Sequence, residues 1–173
     1  SINGPFGSGM VAGDTGVLLN NHMDDFSIGI GKGNAYDLVG NRVNGIKPGK
    51  RPLSSMSPTF VESEEGVLVL GTPGGSRIIS MVILSVVEHL SNLGSDPKNI
   101  VALPRYHHQY LPDRVQIEPE SFDQSWISSL EALGHNVQVY RRKWGNMQAI
   151  YCEKYTYKCV TLNDPRGKAG VVF

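Results

Sequence analysis

The clearest hydrophobic pattern in the chain runs from residue 67 to residue 90. Residues 67–70 form a continuous apolar run, which predicts a buried strand, and residues 71–76 follow as a glycine-rich turn. Apolar residues then recur at helical spacing over residues 78–90, at enough positions to predict a helix that is almost wholly buried. Ser76 is the expected N-cap of this helix, and Gly94 is its expected C-terminal stop.

Weaker patterns predict the other elements of the chain. We expect further strands and short helices, the strands at residues 17–19, 115–118, 137–140, 148–152 and 157–161 and the helices at residues 97–102 and 122–133. Helices against several strands indicate a layered α/β or α+β domain. The length is that of a single domain covering residues 1–173.

The segment of residues 28–49 follows neither the strand period nor the helix period. A long irregular segment inside a compact domain is usually functional or disordered. Tyr36 gives this segment one aromatic anchor. We therefore interpret residues 28–49 as a lid loop over a pocket.

Charge and hydropathy exclude two classes of partner. The 16 basic and 16 acidic residues cancel, which leaves no electrostatic reason to expect a nucleic acid or an anionic membrane surface. The longest apolar segment is interrupted by Glu88 and His89 and is too short to span a bilayer. We expect small polar partners and no membrane span in this chain.

The two cysteines, Cys152 and Cys159, are spaced so that they could pair across a hairpin. They could equally stay free as buried structural residues. Two cysteines define neither a compartment nor a metal site.

The turn after residue 70 is the first candidate for chemistry. Small residues between a buried strand and a helix let a ligand approach the backbone, and the first amides of the helix have no partner within it. Such a turn suits a phosphate, a carboxylate or the oxyanion of acyl transfer, although a packing turn needs the same glycines. The adjacent serines Ser54 and Ser55 upstream favour a site.

Residues 20–25 form a second polar cluster, with two asparagines and two aspartates directly after a predicted strand. An ordinary Asx turn explains such a cluster. The adjacent carboxylates of Asp24 and Asp25 are also suited to a substrate ammonium, or to calcium if more oxygen ligands converge. The pattern leaves these alternatives open.

His107 and His108 are adjacent within a segment bounded by prolines. Neighbouring side chains of a strand point to opposite faces, and no cysteine or carboxylate at ligand spacing joins the pair. We therefore predict no metal site here.

Several short motifs occur in one order along nearly the whole chain, at residues 6–9, 18–21, 23–27, 52–59, 73–78, 104–112, 148–150 and 164–166. The most specific combination is PLSSMSPT at residues 52–59 with PGGSRI at residues 73–78 and MDDFS at residues 23–27. Together these motifs resemble the small, C-terminal subunit of a gamma-glutamyltransferase (gamma-glutamyl transpeptidase), an N-terminal-nucleophile hydrolase.

The resemblance implies an α+β fold, the four-layer αββα sandwich of the N-terminal-nucleophile hydrolases. This chain would supply the small-subunit part without its N-terminal strand. A large subunit, made from the same zymogen by autocatalytic cleavage, would complete a heterodimer.

The resemblance also implies a reaction. The nucleophile would be a threonine one strand upstream of Ser1, with its own α-amino group as the base. It would attack a gamma-glutamyl donor such as glutathione, and water or an amino acid or peptide acceptor would resolve the acyl-enzyme. No cofactor is implied. Family members are mostly periplasmic, secreted or surface proteins, so we expect a periplasmic or extracellular location.

Four residues match family positions around the scissile bond and the substrate carboxylate. Gly74 and Gly75 match the oxyanion-hole pair. Ser54 and Ser55 match the pair that binds the α-carboxylate of the glutamyl group.

Five further residues match positions around the rest of the substrate. Asp25 matches the aspartate that binds the α-ammonium, Asn3 a substrate-contacting asparagine, and Tyr36 the lid tyrosine. Ser1 stands where a second threonine commonly assists the nucleophile. His22 stands where Glu or Gln helps to hold the ammonium, so its protonation below about pH 6.5 is expected to weaken donor binding.

Three alternatives remain at this stage. The first is a related acylase with altered acyl specificity, of the cephalosporin or glutaryl type, which Asp25 disfavours and His22 keeps open. The second is a non-catalytic amino-acid-binding relative. The third treats Ser1 as the N-terminal nucleophile itself, in which case the strand that should carry the nucleophile would be missing.

Overall fold

The structure is a computed structural model that describes residues 2–4, 6–29, 31–93 and 97–167. The chain divides into two compact units, Ser1–Ser54 and Ser55–Phe173. That residues 1–173 make one domain, with residues 28–49 as its lid, stays a prediction.

The first unit consists of turns, isolated bridges and short 3₁₀ helices, which are Gly13–Thr15, His22–Asp25 and Arg42–Asn44. The predicted strand at residues 17–19 is wrong, because Leu18 forms only an isolated bridge with Val11. Glycines at positive φ on either side, such as Gly9 and Gly16, turn the chain before a ladder can extend. Residues 28–49, residue 30 excepted, contain no α-helix or strand, as their lack of periodicity predicted.

The second unit contains all the strands and α-helices of the described residues. In chain order these are β1 (Thr59–Glu62), β2 (Gly66–Gly71), α1 (Arg77–Ser91), β3 (Tyr106–Gln109), β4 (Arg114–Ile117), α2 (Gln124–Ala132), β5 (Val137–Val139), β6 (Gln148–Glu153) and β7 (Cys159–Asn163). The helix expected at residues 97–102 is a 3₁₀ helix, Pro97–Val101. Strands β1 and β3 were not predicted.

The strands form two sheets. The order β1-β2-β6-β7 makes a four-stranded antiparallel sheet, and β3-β4-β5 makes a three-stranded sheet in which β4 and β5 run parallel. Along β2, Leu68 and Leu70 are buried while Val67 and Val69 are half-buried. This alternation gives β2 one core face, against which α1 packs.

Helix α1 lies where the periodicity placed it, but two details of the prediction are wrong. The helix is not almost wholly buried, because it covers the core with one face only and leaves the opposite apolar face exposed. Ser76 occupies the N-cap position with helical dihedral angles and makes no capping hydrogen bond through its side chain. The expected stop at Gly94 lies outside the described residues.

Helix α2 begins at a cap of the usual kind, since the Asp123 carboxylate accepts a hydrogen bond of 2.8 Å from the amide of Trp126. The two cysteines are paired: Cys152 and Cys159 face each other in the register of β6 and β7 and form a disulfide. Among the described residues, no helix has the length and apolar character needed to cross a bilayer.

Candidate active site

The turn between β2 and α1 presents two neighbouring backbone donors. Gly74 has φ +154° and Gly75 has φ +58°, so both adopt backbone conformations that favour glycine. Neither amide donates a hydrogen bond to any part of the chain that the structure describes. Two adjacent unpaired amides at the start of a helix are suited to stabilising a developing oxyanion.

A buried methionine fixes the position of this turn. A Cβ atom at Gly74 would lie 2.6 Å from Cε of Met81, and one at Gly145 would lie 2.5 Å from Sδ of the same methionine. Met81 is fully buried in α1, so it fills the space between the two glycines. The absence of side chains at Gly74 and Gly145 therefore lets the turn and the 144–147 loop close over Met81.

Side-chain acceptors hold the 144–147 loop in place. Three of its backbone amides donate to them, Trp144 to Glu118 at 2.9 Å, Asn146 to Thr72 at 3.2 Å and Met147 to Asp164 at 2.8 Å. Thr72 belongs to the turn itself, so the loop and the turn are joined directly. These bonds satisfy backbone donors that burial would otherwise leave unpaired.

A buried network of two arginines and two carboxylates lies behind the loop. Nη2 of Arg105 lies 2.5 Å from Asp164, and Nη2 of Arg166 lies 2.5 Å from Glu118. Arg166 also contacts Asp164 at 3.2 Å, which links the two pairs. Each charge is compensated, as burial of ionised groups requires.

The environment of Asp164 keeps its carboxylate ionised. Burial alone would raise the pKa of Asp164, but the amides of Arg166 and Met147 and the Arg105 guanidinium donate to it and hold the pKa below its usual value. We did not predict this network. The only signal in the sequence is that Arg105, Asp164 and Arg166 fall within two of the motifs that carry the family resemblance.

His107 and His108 point to opposite faces of β3, as expected of neighbouring strand residues. His107 is buried, with Nδ1 2.7 Å from the Ser80 hydroxyl and Nε2 2.9 Å from Gln109. Burial lowers the pKa of His107, and the charge of Arg77 lowers it further. Within residues 2–4, 6–29, 31–93 and 97–167, no group of three or more metal-binding side chains is present.

Arg77, the first residue of α1, is immobilised on three sides. Its Nη2 donates to Gln116 at 2.7 Å, and its guanidinium lies 4.6 Å from the Tyr140 ring centroid and 5.3 Å from that of Trp144. These contacts hold the first turn of the helix, directly after the two glycines.

In the first unit, the structure brings two of the predicted substrate residues together. The Asn3 side-chain amide donates a hydrogen bond of 2.8 Å to the Asp25 carboxylate, and the Asn3 backbone amide donates to Asn21 at 2.9 Å. Asn44 donates to the Asp25 carbonyl at 2.7 Å. Asn21 and Asn44 were not predicted as site residues, although Asn21 lies in the polar cluster at residues 20–25.

Asp25 also lines a cavity within this unit. Its walls combine apolar and polar side chains, including Phe26, Ser27, Lys32, Asn34, Leu38 and Asn44. Asp25 thus has one carboxylate oxygen held by Asn3 while the residue borders open space.

The remaining predicted residues that the structure describes lie in a 3₁₀ helix, a turn and a segment without regular secondary structure. His22 begins the 3₁₀ helix that ends at Asp25, and its amide donates to Asn20 at 3.0 Å. Tyr36 is half-buried in a turn, where its amide donates to Asn34 at 2.9 Å.

Ser54 and Ser55 lie in a segment without regular secondary structure, Ser54 as the last residue of the first unit and Ser55 as the first of the second. Ser1 lies outside the described residues. The roles assigned to all nine predicted site residues stay predictions, namely those of Ser1, Asn3, His22, Asp25, Tyr36, Ser54, Ser55, Gly74 and Gly75.

Comparison with known proteins identifies, over the whole chain, the family that the sequence motifs resemble. The model of the family described as gamma-glutamyltranspeptidase matches residues 1–173. The chain is 45% identical over 151 residues to the glutathione hydrolase proenzyme of Escherichia coli, covering 87% of this chain and 26% of that protein. It is 39% identical over 171 residues to the glutathione hydrolase proenzyme of Pseudomonas aeruginosa, covering 97% of this chain and 30% of that protein.

The chain therefore spans between about a quarter and a third of the length of these curated relatives. Solved structures match it over a much larger share of their own chains. A mutant of Helicobacter pylori gamma-glutamyltranspeptidase superposes with a TM-score of 0.87 at 39% identity, covering 96% of this chain and 90% of that one. An acivicin-inhibited gamma-glutamyltranspeptidase also superposes with a TM-score of 0.87, at 38% identity, covering 98% of this chain and 90% of that one. These superpositions confirm the predicted α+β fold of the N-terminal-nucleophile hydrolase type.

Proposed function

Because the chain belongs to the gamma-glutamyltranspeptidase family, we propose that it is the part of a gamma-glutamyl-transferring or -hydrolysing enzyme that contains the oxyanion hole. The observation that carries this proposal is the pair of unpaired amides at Gly74 and Gly75. They stand at the start of a helix whose first turn is held rigidly.

The reaction proceeds through an acyl-enzyme. A threonine upstream of residue 1 attacks the gamma-carbonyl of a donor such as glutathione, and its proton passes to its own α-amino group. The carbonyl oxygen becomes an oxyanion, which the amides of Gly74 and Gly75 stabilise. Collapse of this intermediate expels the donor's amine, which takes the proton back from the α-ammonium. Water or an acceptor amine then gives a proton to the α-amino group, attacks the acyl-enzyme and releases the gamma-glutamyl group as the threonine oxygen is reprotonated. Each amide contributes about 3 kcal/mol to lowering the barrier.

The glutamyl end of the donor is bound by side chains of the first unit and by the serine pair. Asp25 accepts the α-ammonium, and Asn3 holds that carboxylate in place through its 2.8 Å hydrogen bond. The hydroxyls of Ser54 and Ser55 bind the α-carboxylate. This assignment favours an α-amino acid donor over the glutaryl substrate of the acylase alternative, because a glutaryl group has no ammonium for Asp25 to bind.

Four further roles complete the proposal. Tyr36 covers the bound glutamyl group as part of a lid, and His22 contacts the ammonium. Ser1 assists the threonine with its hydroxyl. A large subunit from the same precursor completes the enzyme, in line with the proenzyme names of the curated relatives.

A location outside the reducing cytosol belongs to the same proposal. The Cys152–Cys159 disulfide supports it, because disulfides persist in the periplasm and in extracellular space and are rare in the cytosol.

The test uses the full precursor. Its intact mass after purification is measured beside the release of p-nitroaniline from gamma-glutamyl-p-nitroanilide. Two chains and turnover are expected, with the smaller chain heavier than residues 1–173 because it begins at the threonine. A single uncleaved chain that binds glutamate without turnover would overturn the proposal.

A matched pair of variants tests the glutamyl site. Asp25→Asn is expected to lower kcat/KM strongly, because it removes the charge that faces the ammonium. Asp24→Asn is the control, since Asp24 carries the same charge at the adjacent position and accepts a hydrogen bond from the backbone amide of Ala35. Equal effects of the two substitutions would contradict the assignment of Asp25.

A further inference from the structure

The two amides proposed as oxyanion donors belong to peptide groups whose carbonyl oxygens are both hydrogen-bonded. The Pro73 carbonyl accepts from the Thr72 hydroxyl at 3.0 Å. The Gly74 carbonyl accepts from the Arg77 amide at 3.2 Å. Both peptide groups are trans, so the carbonyl and the N–H of each point in opposite directions. The two hydrogen bonds therefore set the directions of the Gly74 and Gly75 amides.

The two hydrogen bonds differ in origin. The bond to the Gly74 carbonyl comes from the backbone of the first residue of α1, so it forms whenever the helix forms. The bond to the Pro73 carbonyl comes from a side chain and depends on a hydroxyl at position 72. The direction of the Gly74 amide is thus the one that a single substitution can release.

The peptide group between Pro73 and Gly74 needs such a bond. The pyrrolidine ring fixes φ of Pro73 but leaves its ψ free, and Gly74 has no Cβ atom to oppose rotation on the other side. Gly74 has φ +154°, a value that favours glycine. Local sterics at these two residues therefore permit more than one orientation of the peptide, and the Thr72 hydroxyl selects the observed one.

A further hydrogen bond orients the Thr72 hydroxyl itself. Its oxygen accepts from the Asn146 amide at 3.2 Å. Its proton has two acceptors in reach, the Pro73 carbonyl at 3.0 Å and Sδ of Met81 at 4.0 Å, and the carbonyl oxygen is both closer and the stronger acceptor. The Asn146 amide, the Thr72 hydroxyl and the Pro73 peptide thus form a chain of hydrogen bonds. Such chains polarise their members, which strengthens the Gly74 N–H as a donor.

We propose that Thr72 is a positioning residue of the oxyanion hole, whose hydroxyl holds the Gly74 amide in the direction of the developing oxyanion. This inference rests on the function proposed for the Gly74 and Gly75 amides. Thr72 acts through the Gly74 amide and does not touch the substrate in this role. Loss of its hydroxyl therefore weakens binding of the transition state and leaves binding of the ground state unchanged.

Thr72→Val tests the proposal, because valine keeps the shape of threonine and lacks the hydroxyl. The enzyme made from the full precursor is assayed with gamma-glutamyl-p-nitroanilide, and L-glutamate is used as a competitive inhibitor that forms no oxyanion. We expect kcat/KM to fall by about tenfold or more and the inhibition constant of L-glutamate to change by less than about twofold. Thr72→Ser keeps the hydroxyl and is expected to restore kcat/KM to within about threefold of wild type.

Thr15→Val is the matched control. The Thr15 hydroxyl makes the same two kinds of hydrogen bond, donating to the Ala12 carbonyl at 2.6 Å and accepting from the Val17 amide at 3.2 Å. It lies in a turn of the first unit to which no part of the proposed site is assigned. This variant is expected to keep the wild-type kcat/KM.

Urea denaturation of each variant separates a loss of positioning from a loss of folded protein. If Thr72→Val leaves the precursor uncleaved, the two mature chains are co-expressed, so that the assay is still made on the two-chain enzyme.

Three results would overturn the proposal. They are an unchanged kcat/KM in Thr72→Val, an equal loss in Thr72→Ser, and a loss that is matched by a weaker affinity for L-glutamate or by the unfolded fraction. A wild-type enzyme without turnover would instead contradict the proposed function. Full activity of Thr72→Val beside an active wild type would contradict the role of Thr72 alone.

Discussion

The backbone of Gly74 lies directly against Met81, so that a Cβ atom at residue 74 would come within 2.6 Å of the Met81 methyl group. Met81 is buried, and a Cβ atom at Gly145 would lie 2.5 Å from its sulfur, so the methionine is packed closely between the turn and the 144–147 loop. The position of the Gly74 amide, which we propose as an oxyanion-hole donor, is thus set by a core side chain as well as by the turn.

Gly74→Ala is expected to lower kcat by about 100-fold or more, because strain against Met81 displaces the amide from the oxyanion. The variant is measured with gamma-glutamyl-p-nitroanilide in the full enzyme. Gly71→Ala is the matched control, since no atom lies within 4 Å of its added Cβ, and it is expected to keep near-normal kcat. Similar rates for the two variants would show that the contact with Met81 is unimportant.

Arg105→Leu is expected to lower the free energy of unfolding by about 3–5 kcal/mol, because it leaves the buried carboxylate of Asp164 without its closest cation. Urea denaturation of the purified enzyme measures the change. Arg141→Leu, at an exposed arginine, is expected to alter stability by no more than about 0.5 kcal/mol. Unchanged stability of the Arg105→Leu variant would mean that the network contributes nothing net.

His107→Gln is expected to reduce the loss of stability in mild acid. Burial lowers the pKa of His107 in the native state, while the unfolded histidine titrates near about 6.5. Below that pH the unfolded state binds more protons, so the free energy of unfolding falls as the pH decreases toward the native pKa. Urea denaturation at pH 7.5 and 5.5 measures the slope, which glutamine should flatten.

His89 contributes a slope of the same sign, because burial lowers its pKa too. The prediction fails if the His107→Gln variant retains the full wild-type slope.

The sequence predicted the location of α1 correctly because its apolar residues keep helical spacing over residues 78–90. The predicted burial was wrong, since periodicity shows which residues avoid water but not which polypeptide covers them. Strand β1 was missed because its character comes from pairing with β2, as in the register of Phe60 with Val69, rather than from its own composition.

In the candidate site too, features formed by neighbouring residues were predicted, and contacts between residues far apart in the sequence were not. The turn at Gly74 and Gly75 is a local pattern between a strand and a helix, and it was predicted. The contact of Arg105 with Asp164 joins residues 59 positions apart, and no periodicity or spacing rule links them. The pairing of Asn3 with Asp25 was equally invisible, although both residues had been selected individually.

Strand β2 is flanked by β1 on one side and by β6 on the other, so its ladder is paired along both edges. Amides in such a strand exchange with solvent only when the sheet opens as a whole. The turn at Gly74 continues directly from this strand. Its backbone therefore loses its conformational entropy during folding, so that the amides of Gly74 and Gly75, in the role proposed for them, would need no further ordering when they bind a transition state.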